Sequence, residues 1–190
     1  MTGRPELAVF DAVGAEPLLD QLVAVYVEIY AEPDDAFHGA ARYRRQITGH
    51  MRAPGWKLVT ATVASELAGY AYGFHLPSTS RWWEGLRPPV PAGFTDEDGR
   101  RTFAVSEIMV RAPWRRRGIA RALHDELLAG VPRERATLLA EPGNSPAQVA
   151  YARWGWRKLA ELRPDWDDAP LYDVLILDRF HPGWPPARPK

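Results

Sequence analysis

The segment Val110-Arg111-Ala112-Pro113-Trp114-Arg115-Arg116-Arg117-Gly118-Ile119-Ala120 constrains this chain more than any other. A β-rich run, Thr102–Val110, leads into it. A helical pattern leads out, with Ile119, Ala122, Leu123 and Leu127 on one face. The fold must therefore contain a strand-to-helix turn here. Four arginines fall within seven residues with no acid among them, and the small residues Gly118 and Ala120 stand where the backbone turns. Such a turn aims several N–H groups at one spot, at the positive end of a helix dipole, which suits a pyrophosphate. A P-loop is excluded because no Gly-Lys-Ser/Thr follows, and a dinucleotide site because Gly-x-Gly-x-x-Gly is absent. The plain alternative is a solvated basic loop capping a helix. The order strand, arginines, small residues, amphipathic helix favours phosphate.

The rest of the chain reads as mixed α/β. Leu7–Val13 is expected to be a strand. Glu16–Tyr30 is expected to be a helix, with Leu18, Leu22, Val25 and Ile29 in phase, and Ala40–Arg52 a second helix stopped by Pro54-Gly55. Trp56–Val63 and Leu67–His75 read as an antiparallel hairpin around Ser65-Glu66. Arg135–Ala140, Trp156–Leu162 and Leu171–Leu177 read as further strands, and Gly118–Leu128 and Ser145–Trp154 as helices. Residues 77–101 have no clear period, and a loop of that length is usually functional or disordered. The expected organisation is one domain over residues 1–180 with an insertion at 77–101, followed by a proline-rich tail at 181–190.

Composition removes whole classes of function. Lys plus Arg and Asp plus Glu are 24 each, giving no net charge, so a general nucleic-acid binder is not expected. There is no cysteine, which excludes thiol catalysis, acyl-cysteine intermediates, Cys-based zinc sites and disulfides. No signal peptide or membrane span is visible, so a cytoplasmic protein is expected.

A second constellation is Glu141-Pro142-Gly143-Asn144-Ser145-Pro146-Ala147-Gln148-Val149-Ala150-Tyr151-Ala152-Arg153-Trp154-Gly155-Trp156. Ser145 followed by Gln148 reads as a capping box with Pro146 at the first helical position, leaving the Asn144 side chain available for a ligand. Taken alone, Tyr151 is an ordinary core tyrosine and Asn144 a turn former.

Together the two segments resemble the GCN5-related N-acetyltransferase (GNAT) superfamily. Arg115-x-x-Gly118-x-Ala120 is similar to its acetyl-CoA motif. Asn144, Ala147, Tyr151, Gly155 and Trp156 are similar to its Asn-x-x-Ala-x-x-x-Tyr-x-x-x-Gly-Phe motif, with Trp in the Phe place. The resemblance implies a central mixed, mostly antiparallel sheet of six to seven strands with about four helices, splayed between the fourth and fifth strands. It implies acetyl-CoA as cosubstrate, no metal, and direct acetyl transfer to a primary amine in a ternary complex. Backbone groups of Ile108, Met109 and Val110 would bind the pantetheine arm. N–H groups of Arg115, Arg116, Arg117, Gly118, Ile119 and Ala120 would hold the pyrophosphate. Asn144 would bind pantetheine, and Arg153 with a loop arginine would reach the 3′-phosphate. Tyr151 would protonate the leaving thiolate, a role suited to a phenol of pKa about 10.

The resemblance points to Glu107 as a base near the substrate amine, with Glu141, His75 and water as rivals. Some relatives place a glutamate five residues before the Asn, where this chain has Leu139. The acceptor region would include Asp34, Asp35, Phe37 and His38, together with Trp82, Trp83, Phe94 and Asp96–Asp98. Aromatic and acidic groups of this kind suit a cationic amine. A small-molecule amine is the expected acceptor. A protein or peptide amine and a non-catalytic acyl-CoA-binding module are the alternatives. A homodimer is expected by analogy.

Overall fold

A computed structural model describes residues 4–30, 39–164 and 169–178. The chain is mixed α/β, with eight strands among the described residues, mostly antiparallel. It divides into two compact units: the described residues of 1–74 and 105–131, and those of 75–104 and 132–190.

In the first unit, β1 (Glu6–Phe10) pairs antiparallel with β2 (Lys57–Val63), from Glu6↔Thr62 to Phe10↔Leu58. β2 in turn pairs antiparallel with β3 (Glu66–His75). Ala64 and Ser65 join them with φ of 49° and 66°. Two successive left-handed residues make the tight turn that matches the twist of a hairpin. β3 neighbours the later part of β5 (Thr102–Val110), and the match is close. A Cβ on Gly69 would collide with the Met109 carbonyl, so only glycine lets these backbones approach.

The first strand ends earlier than the sequence suggests. Asp11 caps α1 (Ala12–Ala15) by accepting a hydrogen bond from Gly14 N at 2.8 Å, which turns the chain before Val13. Pro17, without an N–H, then leaves a 3-10 turn at Glu16–Leu18 before α2 (Leu19–Tyr30). α3 spans Ala40–His50 and α4 Ile119–Leu128. Leu22, Ile47, Leu58, Leu123 and Leu127 are fully buried in this unit.

In the second unit, β5 begins parallel to β6 (Arg135–Ala140) as Thr102↔Arg135, Phe103↔Ala136 and Ala104↔Thr137. That register stops after these three pairs, although β5 continues to Val110 and β6 to Ala140. β6 pairs antiparallel with β8 (Tyr172–Asp178), β8 with β7 (Arg157–Leu162), and β7 with β4 (Leu86–Arg87). β4 is the strand beyond the expected six to seven; two residues are too few to show a period. α5 (Ser145–Arg153) completes the set of four longer helices.

The 77–101 segment is held from inside. Glu97 Oε1 accepts hydrogen bonds from Trp83 Nε1 at 2.9 Å, Thr102 Oγ1 at 2.7 Å and Arg135 at 3.0 Å. The Arg135 guanidinium also donates to the Phe94 carbonyl at 2.5 Å and lies over the Phe94 and Trp83 rings, 4.0 Å and 5.1 Å from their centroids. Arg101 donates to the carbonyls of Gly93 and Asp96. Asp98 accepts from the backbone N–H groups of Arg100 and Arg101. The aromatic and acidic groups Trp83, Phe94, Glu97 and Asp98, expected at an acceptor site, are therefore engaged in fixing their own segment.

Candidate active site

The basic turn follows β5 in the first unit. Its four arginines have separate fates. Arg111 is a structural anchor: it donates to Glu28 at 2.7 Å and to the Leu67 carbonyl at 3.2 Å, and lies over Trp114. Arg115 folds back, donating through Nε to the Val110 carbonyl at 2.9 Å and through its backbone N–H to Ala112 at 3.3 Å. That N–H is committed to the 3-10 turn Ala112–Trp114, so Arg115 does not join a cradle as expected. Arg116 and Arg117 are exposed.

Beyond Arg115 the backbone turns through Arg116 (φ 61°) and Gly118 (φ 77°) into α4. The N–H groups of Arg116, Arg117, Gly118, Ile119 and Ala120 make no hydrogen bond among the described residues. Nothing lies within 4 Å of a Cβ built on Gly118, so glycine is required there for its left-handed conformation and not for space. Unspent donors at a helix N-terminus are of the kind that a pyrophosphate needs.

Glu107 lies three residues upstream on β5, half-buried. It makes no hydrogen bond or ion pair among the described residues. Burial alone pushes its carboxyl up to about 8. The surroundings are phenolic: the Glu107 charge raises Tyr43, Tyr70 and Tyr72 further above the range that burial already gives them. Tyr43 stacks on Tyr26 at 3.7 Å and its hydroxyl is 2.8 Å from that of Tyr70. Tyr72 meets His50 Nδ1 and Ser106 Oγ, each at 3.1 Å. Desolvation lowers His50 to about 4, so the ring is neutral at ordinary pH.

In the second unit, Asn144 and not Ser145 caps α5. Asn144 Oδ1 accepts from Ala147 N at 3.3 Å, and Ser145 is the first helical residue. The expected capping box fails for a local reason. Asn144 has the non-helical backbone (φ −81°, ψ 70°), and Gln148 donates instead to the Glu141 carbonyl and to Asp173. The Asn144 amide N–H₂ still faces no protein partner among the described residues. Tyr151 is half-buried, edge-on to Trp154 at 5.6 Å and Trp156 at 6.2 Å. Arg153 is exposed at the end of α5.

A family model described as Acetyltransferase (GNAT) family matches residues 20–156. The chain belongs to this family. Solved structures agree on the fold. The chain is similar to PH1933 from Pyrococcus horikoshii at 16% identity and TM-score 0.62, over 93% of this chain and 100% of that one. NAA60 from Arabidopsis thaliana, in complex with acetyl-CoA, gives 14% identity and TM-score 0.62 over 93% and 99%. A GNAT-family acetyltransferase from Bacillus cereus gives 14% and 0.60 over 94% and 100%. No curated protein matches.

Within this GNAT chain, the first unit brings Glu107, Ile108, Met109, Val110 and the N–H fan of Arg116–Ala120 onto one strand and its turn. Asn144, Tyr151 and Arg153 share α5 in the second. His75 donates through Nε2 to the Pro132 carbonyl at 2.8 Å, and its ring stands edge-on to Phe103. Glu141 is exposed. Asp34, Asp35, Phe37, His38 and the 181–190 tail lie outside the described residues. Among the described residues no helix is long and apolar enough to cross a membrane, and no group of three metal-ligating side chains is found. Sequence reasoning missed His50, Tyr70, Tyr72 and Ser106. The one available signal was Tyr70-x-Tyr72, two phenols on one face of a strand.

Proposed function

We propose that this GNAT acetyltransferase moves an acetyl group from acetyl-CoA to the primary amine of a small molecule in the cytoplasm. The observation that carries the cosubstrate is the fan of five unspent backbone N–H groups, Arg116 to Ala120, closing on a left-handed Gly118. Ile108–Val110, Asn144 and Arg153 are the proposed contacts to the remainder of acetyl-CoA. When bound, it supplies the acyl group and a thiolate leaving group.

Glu107 is the proposed base. An alkylammonium gives one proton to the Glu107 carboxylate. The freed nitrogen lone pair forms a bond to the acyl carbon as the C–S bond breaks. Tyr151 Oη–H protonates the departing sulfur, and the second proton leaving nitrogen restores the phenol. A base titrating near 8 is mostly protonated at pH 7. Turnover is therefore expected to rise with pH until about 8. A half-buried carboxyl among tyrosines favours a slim amine that can enter, which supports the small-molecule reading.

Calorimetric titration with acetyl-CoA tests the first part. Wild type should bind at micromolar concentration, and Gly118→Glu, which sets a carboxylate in the cradle, should not. Free-thiol release against a panel of small amines and peptide N-termini tests the second. Binding without release from any amine would point to a non-catalytic module, and release from peptides alone to a protein acetyltransferase.

A further inference from the structure

Helix α5 carries Asn144 and Tyr151, yet it contributes no buried side chain, and its Val149 is 50% exposed. Its nine residues are too few for a helix that stands alone. Specific ties to its own unit must therefore hold it in place, and Gln148 supplies two. Gln148 lies one turn after Asn144 and three residues before Tyr151, so the three share a face. Its amide nitrogen donates to the Glu141 carbonyl at 3.3 Å, just beyond β6, and to Asp173 Oδ2 on β8 at 3.0 Å. Both partners are acceptors here, so the amide cannot be turned over without losing both bonds.

Asp173 is buried, a costly place for a carboxylate unless it is paired. Lys158 answers its charge: Nζ is 2.5 Å from Asp173 Oδ1 and 2.9 Å from Glu161 Oε1. That meeting is built into the strand. In a regular strand Lys158 and Glu161, three residues apart, would point to opposite faces. The register of β7 on β8 shifts between Lys158↔Leu175 and Ala160↔Val174, so β7 carries one extra residue. This bulge brings Lys158 back to the face of Glu161 and of Asp173, which pairs with Glu161 across the ladder. Each oxygen of Asp173 thus has its own partner: Oδ1 the ammonium, Oδ2 the Gln148 amide.

We propose that Gln148 is a positioning residue: anchored by Asp173, whose charge Lys158 holds, it fixes α5 and so places the Tyr151 hydroxyl for protonation of the departing thiolate. This rests on Tyr151 being the acid. Gln148, Asp173 and Lys158 do not touch the reacting atoms. They act through placement, and an error of about 1 Å in a catalytic group can cost about 10²-fold in rate.

Thiol release from acetyl-CoA with the most active amine of the panel tests it, in wild type, Gln148→Leu, Tyr151→Phe and the double variant. Gln148→Leu keeps the bulk and the helical propensity and removes both hydrogen bonds. Its kcat should fall about tenfold while acetyl-CoA affinity stays within about threefold, because the pyrophosphate cradle belongs to the first unit. In the Tyr151→Phe background the same substitution should change kcat by less than about twofold, since the hydroxyl it places is gone. A loss that repeats in full in that background marks a purely structural glutamine and overturns the proposal, as does an unchanged kcat in Gln148→Leu. Gln148→Ala is the second variant should the leucine fail to fold. In Asp173→Asn the remaining oxygen goes to Lys158 and the N–H₂ faces that of Gln148, so the loss should be reproduced; wild-type kcat there overturns the anchoring role of Asp173. Amide hydrogen exchange tells failure of this proposal from failure of the acid assignment. In Gln148→Leu, exchange across α5 should quicken about tenfold with β6 and β8 unchanged, and unchanged exchange overturns the anchor whatever Tyr151 does. Quickened exchange together with wild-type kcat in Tyr151→Phe overturns the acid assignment instead.

Discussion

Two glutamates stand in opposite surroundings. Glu97, in the second unit, has one carboxyl oxygen that takes donors from Trp83, Thr102 and Arg135. Glu107, in the first, has none among the described residues and titrates near 8. Both carboxylates lie among aromatic rings, so aromatic burial alone does not decide what a carboxylate does. Supply of donors does. A carboxyl oxygen that takes three donors binds its segment to the core. A carboxylate starved of them has a raised affinity for a proton and is available to take one.

The largest expected effect falls on catalysis. Glu107→Gln should lower kcat by about 10²–10⁴ while acetyl-CoA affinity is unchanged, because the base acts on the amine. Glu97→Gln, assayed at a temperature where it is folded, should keep kcat within a few-fold. Equal losses in the two variants would break the distinction drawn between these carboxyls.

The reverse ordering is expected for stability. Arg135→Ala leaves Glu97 buried with its charge unmatched and removes the bond to the Phe94 carbonyl. Loss of one partner from a buried pair typically costs about 3–5 kcal/mol. Chemical denaturation should show it, and limited proteolysis should cut within 77–101 once the anchor is gone.

The pH dependence separates the two environments further. The folded-state value of Glu107 is raised from 4.5 to about 8, so its contribution to stability is present in full below pH 4.5 and is lost as pH rises through about 8. Glu107→Gln should remove that slope, and the variant should be more stable than wild type at pH 9 by a few kcal/mol, at about 1.4 kcal/mol for each unit of pKa difference. His50 works in the other direction. Its folded-state value is lowered from 6.5 to about 4, so stability is full above pH 6.5 and is lost as pH falls toward 4. Melting temperatures from pH 4 to 9 should therefore peak between the two transitions. A flat profile would mean that neither group is desolvated as described.

How far the sequence could reach follows from the same two regions. Thr102–Val110 and Arg135–Ala140 are strands as expected, since β-rich runs bounded by turn residues are local information. Glu107 was legible through its place before the basic turn. Its environment was not, because the partners of that environment come from far along the chain: His50 is 22 residues from Tyr72 and 56 from Ser106. The 77–101 segment had no period for the same reason. Its organising residue, Arg135, lies 38 positions beyond Glu97. The exchange of caps at α5 is a different kind of miss. Asn and Ser cap about equally well, so adjacent candidates are decided by where the backbone leaves the helical region, and composition does not report that.

The smallest effect gives the finest comparison, because it removes one hydroxyl from each cluster. Thr102→Val keeps the shape of a fully buried side chain. It deletes the 2.7 Å hydrogen bond to Glu97 and leaves Arg135 Nε, which donates to Thr102 Oγ1 at 2.8 Å, without an acceptor. Hydrogen bonds to charged groups are worth roughly 1.5–3 kcal/mol, and this one leaves a buried donor unmet. Ser106→Ala deletes a neutral hydrogen bond to Tyr72 from a half-buried position. About 0.5–1.5 kcal/mol is expected there. Equilibrium denaturation of the two variants side by side measures the difference. Equal costs would show that the ionic character of the Glu97 cluster adds nothing, and that donor supply is not what separates the two glutamates.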